Sequence, residues 1–329
     1  MEVIRVPNRP ASPSFYAVAG RLLFVQTSDL SLGKPIERLF AGWQLTPVSS
    51  TDQIPDIRIS FTCGETPQIP QNLNQFEIAE GGQCYTDGAD YYLALGDSLL
   101  QLRNESPIAV DVWLVSVPSD PLLARVTSFA VCAALRRFGL FELHSAGVVD
   151  PETDRGVLIV GPSGSGKSTL ALQLALAGWP YLSDDELLLS VVDGGIEARG
   201  FRSFFAVSDE TAAAVGVDKT RTSEGMKTCF EPSDVFGSLQ QTSAAPEALF
   251  FISLSGEEKT RVDKLTQSET MTRLIRACPW ATYDTAIAGA NLNVLSKLAR
   301  QTIAFDLLAG RDLLDSNYAS ELLSSYVRA

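Results

Sequence analysis

"GVLIVGPSGSGKSTLALQLALAG", Gly156 to Gly178, is the stretch from which the rest of the chain can be placed. It holds the pattern G-x-x-x-x-G-K-[ST] as Gly161-Pro162-Ser163-Gly164-Ser165-Gly166-Lys167-Ser168. The apolar run "VLIVG" before it reads as a strand. The segment after it, Lys167 to Ala177, carries Leu170, Leu172, Leu174 and Leu176 among alanines, a helix apolar nearly all round and therefore buried. Glycines between a strand and a helix let the backbone bend around an anion, with N–H groups pointing inward at the helix N-terminus. The pattern assigns Gly161 through Thr169 to a nucleotide's phosphates. Lys167 is expected to reach the β- and γ-phosphates, and Ser168 to hold Mg²⁺. ATP and Mg²⁺ are the ligands this implies.

Working outward, "LFELHSAGVV" reads as a strand and "DPETDRG" as a turn, so the strand feeding the loop is reached through a hairpin. A doubly wound fold would place a helix there. His144, the single histidine of the chain, ends that first strand. A histidine there can orient an aspartate or tune its pKa. Downstream, Asp184 and Asp185 fall 17 and 18 positions after Lys167, an interval that fits one helix and one returning strand. Carboxylates at that strand end can hold Mg²⁺ or take a proton from an attacking hydroxyl, and two of them can divide the work. In "IEARG", Glu197 and Arg199 alternate onto one strand face. Read alone they are an exposed ion pair; beside a phosphate site, Glu197 is a candidate further Mg²⁺ ligand.

Composition bounds the rest. The chain has 329 residues, 45% hydrophobic and 20% charged, which is globular and long enough for two domains. A net charge of −13 repels phosphate backbones, so nucleic acid is not an expected partner. Cys63, Cys84, Cys132, Cys229 and Cys278 are odd in number and form no CxxC pair, the pattern of free thiols in a reducing compartment. The first residues lack a basic flank before an apolar core, and no apolar run approaches about 18 residues. No membrane association and a cytoplasmic location are expected.

Residues 1–118 read as a β-rich domain for packing or partner binding, with strands in "FYAVAGRLLFVQ", "PDIRISFTC", "YYLALGDSLLQLRN" and "AVDVWLVSV". A helix from Pro121 to Phe138 opens the second domain, 119–329. Asp120 is its expected N-cap, Gly139 its C-terminal stop, and Arg136 and Arg137 face its dipole. "ELLLSVVDGGIEARGF" reads as a hairpin turning at Asp193-Gly194-Gly195. "DKTRTSEGMKTCFEPSDVFGSLQQTSAAPE" is polar and reads as a mobile loop. A strand, two helices, a strand and a closing helix complete the chain.

Taken together, "LHSAG", "GPSGSGKS", "SDDE" and "EARG" resemble, in order and spacing, the catalytic domain of the HPr kinase/phosphorylase family. The resemblance covers residues 140 to 205, extends loosely to the C-terminus and omits the N-terminal domain. It implies an α/β fold with a P-loop kinase core on a mixed sheet. Asp185 would be the base that deprotonates a substrate serine, with Asp184 assisting and His144 nearby. Ser168, Asp184 and Glu197 would be Mg²⁺ ligands, and Lys167 would neutralise the γ-phosphate. The family's basic V-R-P-G-R-N-like stretch has no counterpart here; "TRTSEGMKTCF" offers only Arg221 and Lys227. Divergent relatives that phosphorylate a serine in lasso-peptide precursors are resembled equally well. The implied activity is ATP-dependent transfer to a serine of a protein or peptide, by a protein that forms homo-oligomers. A small-molecule kinase or carboxykinase-like enzyme on the same core, and a nucleotide-binding sensor without catalysis, are the alternatives.

Overall fold

The computed structural model describes residues 14–328 except 50, 79–81, 89, 117–118, 215–222, 225–226, 238 and 279. The chain divides into two compact units. One runs through Phe138 and takes in Tyr283–Ala286; the other holds Gly139–Thr282 and Ile287–Ala329.

In the first unit, β1 (Ser14–Val18), β2 (Arg21–Thr27), β3 (Thr46–Val48), β4 (Ile57–Cys63), β5 (Asn74–Ile78), β6 (Gly82–Thr86), β7 (Tyr91–Leu95), β8 (Ser98–Arg103) and β9 (Ile108–Leu114) form a mixed sheet ordered β3-β1-β2-β4-β9-β8-β7-β6-β5. The β-rich expectation for this region holds, with one addition. Helix α1 (Leu30–Ala41) follows β2, started by the Asp29 side chain, which accepts from Ser31 N–H. Its buried Leu32, Ile36 and Phe40 recur every fourth residue, a helical stripe that Gly33 and Pro35 disguise. Helix α2 (Asp120–Arg136) has Ser119 as N-cap and contacts β8, β9 and α1. It therefore belongs to the first unit, and the division falls at Phe138 rather than at 118.

The second unit is a three-layer sandwich. Strands β10 (Phe141–Asp150) and β11 (Arg155–Val160) form the expected hairpin, and the loop leads into α3 (Lys167–Leu176). Then come β12 (Tyr181–Ser183), β13 (Glu186–Val192), β14 (Gly195–Gly200), β15 (Phe205–Ser208), α4 (Asp209–Ala214), β16 (Ser223–Glu224), β17 (Lys227–Phe230), α5 (Ser233–Phe236), β18 (Ser243–Ala244), β19 (Pro246–Leu254), β20 (Arg261–Lys264), α6 (Gln267–Ala277), α7 (Trp280–Tyr283), α8 (Ala288–Gln301), β21 (Ile303–Ala309) and α9 (Ser316–Val327). The main sheet runs β18-β14-β13-β10-β11-β19-β21-β20, with β12 also on β10. The β11–β19 and β19–β21 pairings are parallel and the other strand pairings of this sheet among the described residues are antiparallel, so the sheet is mixed.

Strand alternation splits the core. Val157, Ile159, Phe250 and Ile252 face α3 and α9, whereas Leu158, Val160, Leu249 and Phe251 face α6 and α8. The β13–β14 turn is the two residues Asp193-Gly194, both at positive φ, with Val192 paired to Gly195. The segment expected to be a loop holds β17, which pairs with β15. Arg221 lies outside the described residues. None of the five cysteines is in a disulfide. No helix among the described residues is long and apolar enough to cross a membrane.

Candidate active site

The loop from Gly161 to Gly166 joins the end of β11 to α3, and its shape needs its glycines. A Cβ on Gly161 would stand 2.5 Å from Ser165 Oγ and 2.7 Å from the Ile252 carbonyl oxygen. Gly166 has φ of 97°, which side-chain-bearing residues avoid, and it caps α3 directly before Lys167. Pro162, Ser163 and Gly164 are exposed, Ser168 and Thr169 half-buried in the first turn of α3. The positive end of the helix dipole therefore opens on the loop.

Lys167 is buried, so its ammonium must be satisfied locally. It donates to the carbonyl oxygens of Gly161 (2.8 Å) and Pro162 (3.1 Å), and meets His144 Nε2 at 3.0 Å. On the other side of the ring, His144 Nδ1 stands 3.2 Å from Asp185 Oδ1. A carboxylate can only accept, and an ammonium can only donate. Because the Lys167 ammonium can only donate, the neutral ring accepts on Nε2 and carries its proton on Nδ1, the nitrogen that faces Asp185. Asp185 Oδ2 meets Arg202 Nη1 at 3.3 Å, and Arg202 Nε meets Glu186 Oε2 at 3.5 Å. A continuous polar chain thus runs from the loop lysine to Arg202.

The local fold puts the aspartates there. Both β12 and β13 pair with β10, β12 at Gly147 and Val148 and β13 from Phe141 to His144. The chain between them must step along β10, and Asp184-Asp185 make that step beside His144. Ser145 N–H donates to the Asp185 carbonyl oxygen at 3.0 Å and fixes it. The two carboxylates have different settings. Asp184 is fully buried, accepts from Ala206 N–H at 2.8 Å, and receives the Ser168 hydroxyl on its carbonyl oxygen at 3.3 Å. The Asp185 side chain is 22% exposed and can meet an incoming group.

His144, Lys167, Ser168, Asp184 and Asp185 are therefore brought together. Glu197 is not. Its neighbour Ala198 pairs with Ala244, which leads into Pro246, and Pro246 pairs with Gly156. That is the end of β11 away from the loop, and four residues of strand separate Gly156 from Val160 by roughly 13 Å. Glu197 contacts Arg199 at 3.1 Å and lines an open cleft of about 410 Å³ with Arg155, Glu247 and Gln301. The ion-pair reading describes it, and the metal-ligand expectation does not. Arg202, by contrast, is not legible as a site residue in the sequence. Its only signal there is a cation two positions past "EARG".

The donor set fits the phosphates of a nucleotide. Gly161 leaves room that a Cβ would fill, Lys167 is held at the loop, and Ser165 Oγ is buried with no hydrogen-bond partner. Among the described residues no three His, Cys, Asp or Glu side chains cluster to hold a metal alone. Mg²⁺ needs only one or two carboxylates beside phosphate oxygens, which Asp184 with the Ser168 hydroxyl can provide.

No protein-family model and no curated protein matches this chain. Among solved structures, the Hpr(Ser) kinase/phosphatase from Coxiella burnetii is similar at 13% identity, over 56% of this chain and 89% of that one, with a TM-score of 0.32. This is a distant likeness.

Proposed function

We propose that the second unit is an ATP-dependent kinase that transfers the γ-phosphate to a serine hydroxyl of a protein or peptide. The observation that carries this is the contact chain Lys167–His144–Asp185, which joins a phosphate-loop lysine to a partly exposed carboxylate through one imidazole. A motor or a switch needs the loop and a metal-holding aspartate; an accessible second carboxylate suits proton removal from an acceptor.

In this reading the loop amides and Lys167 hold the β- and γ-phosphates. The serine oxygen attacks the γ-phosphorus, the bond to the β-phosphate oxygen breaks, and the hydroxyl proton passes to Asp185. Transfer of a phosphoryl group is mainly positioning and charge stabilisation, so Asp185 also orients the hydroxyl. His144 holds Asp185 in place. Asp184 and Ser168 would hold Mg²⁺, which neutralises phosphate charge when bound. A cytoplasmic location and a homo-oligomeric assembly accompany the proposal.

Single-turnover transfer from ATP to candidate serine peptides, read by mass spectrometry, tests it. Asp185→Asn is expected to retain nucleotide binding and to lose about 10²-fold or more in transfer rate. Wild-type transfer by a nucleotide-bound Asp185→Asn would show the base assignment to be wrong.

A further inference from the structure

Arg202 is delivered to a fixed place by its neighbours. Gly200 N–H donates to the Thr242 carbonyl oxygen at 3.0 Å and Phe201 N–H to the Glu186 carbonyl oxygen at 3.1 Å. The Phe201 side chain is fully buried. The guanidinium then spans two carboxylates, Asp185 at 3.3 Å and Glu186 at 3.5 Å. Each Asp185 oxygen has its own partner, Oδ1 the His144 ring and Oδ2 Arg202. Rotating the carboxylate would break both contacts at once. Both contacts are ion pairs, with the charge of the planar guanidinium shared between the two carboxylates.

We propose that Arg202 is a positioning residue for phosphoryl transfer: with Glu186 as its own anchor, it locks the Asp185 carboxylate against His144. This rests on the reading of Asp185 as the base. It makes Arg202 act through Asp185, with no contact to either substrate required.

The test uses the full chain labelled with ring-nitrogen-15 histidine, so that the two ring nitrogens of its single histidine are the labelled sites. The wild type is expected to show the Nδ1–H form. In Arg202→Gln, Asp185 is released and the two nitrogen signals move toward each other as the Nε2–H form becomes populated. Arg202→Lys restores the wild-type pattern in part, and it answers the question by itself if Arg202→Gln does not fold. A wild-type spectrum retained in Arg202→Gln, or in Arg202→Lys alone, overturns the proposal; so does a wild type with its proton on Nε2. In single-turnover transfer, Arg202→Gln should lose about 10²-fold in rate with nucleotide affinity unchanged. A parallel loss of nucleotide affinity counts against positioning. If the wild type phosphorylates no acceptor, the kinase reading fails, and the NMR result still decides the role of Arg202.

Discussion

At Gly161 there is room for a hydrogen and little else. A methyl group there would collide with Ser165 Oγ and the Ile252 carbonyl oxygen, one a loop side chain and the other the backbone of β19. Backbone does not yield cheaply, so Gly161→Ala should destabilise the protein by about 1–3 kcal/mol. It should also abolish nucleotide binding, because the loop must open to admit the methyl. Thermal unfolding and nucleotide titration check the two effects separately, and an Ala variant with wild-type affinity would show the loop to be more pliant than its contacts suggest. The same scale explains what could be read in advance. Gly164 and Gly166 at positive φ, and Lys167 just after them, belong to a contiguous loop-to-helix pattern, and that is legible in sequence. The contact of His144 with Asp185 spans 41 positions; the two residue types suggested it, and only the pairing of β10 with β13 creates it.

Among the elements, the β10–β11 hairpin carries the site at one end and a structural anchor at the other. Asp150, at the turn end of β10, is fully buried. It accepts from Arg328 Nη2 at 3.0 Å and Nε at 3.3 Å, just beyond α9, and from Glu152 N–H and the Thr153 hydroxyl. Burial pushes its pKa up, but these hydrogen bonds outweigh burial and hold it below the ordinary 3.8. A depressed carboxylate pKa stabilises the fold above the unfolded value, and that contribution is lost as pH falls through the folded one. Arg328→Ala should therefore lower the unfolding midpoint at pH 7, and the deficit should close below about pH 4. Denaturation curves across that range decide it; a deficit independent of pH would mean the arginine acts through packing of α9. Most strands and helices of this unit are legible in the sequence, because their periodicity and turn residues are local. Glu197 was misplaced because strand spacing says nothing about where a strand's far edge is sewn. The pairing of β14 with β18 brings it beside the start of β19, away from the loop.

Over the whole chain, the two units are not two continuous stretches. Tyr283–Ala286, from the last residue of α7 to just before α8, is flanked in sequence by the second unit and belongs to the first in space. There Asp284 pairs with Arg137 at 3.0 Å, with both side chains over nine-tenths buried. Removing one partner of a buried pair leaves the other charge without compensation, so Asp284→Ala should destabilise the first unit by about 3 kcal/mol. Limited proteolysis and chemical denaturation read this. The expected result is earlier loss of the first unit, although residue 284 lies 147 positions from its partner. An unchanged first unit would show that the pair is dispensable. In the sequence Arg137 stands at a helix end facing the dipole, and nothing within a turn or two reveals an aspartate so distant. The sequence by itself determined the phosphate loop, the hairpin before it, the identities of His144, Asp184 and Asp185, and most elements of the second unit. Backbone conformation, turn chemistry and hydrophobic period act over a few residues, and those are written in order along the chain. Only the tertiary structure decided that Asp184 is buried while Asp185 is open, that Arg202 enters the site and Glu197 does not, and that residues 283–286 belong with the first unit. Each of these depends on which distant strands pair and which surfaces bury each other, a property of the folded chain and not of any segment of it.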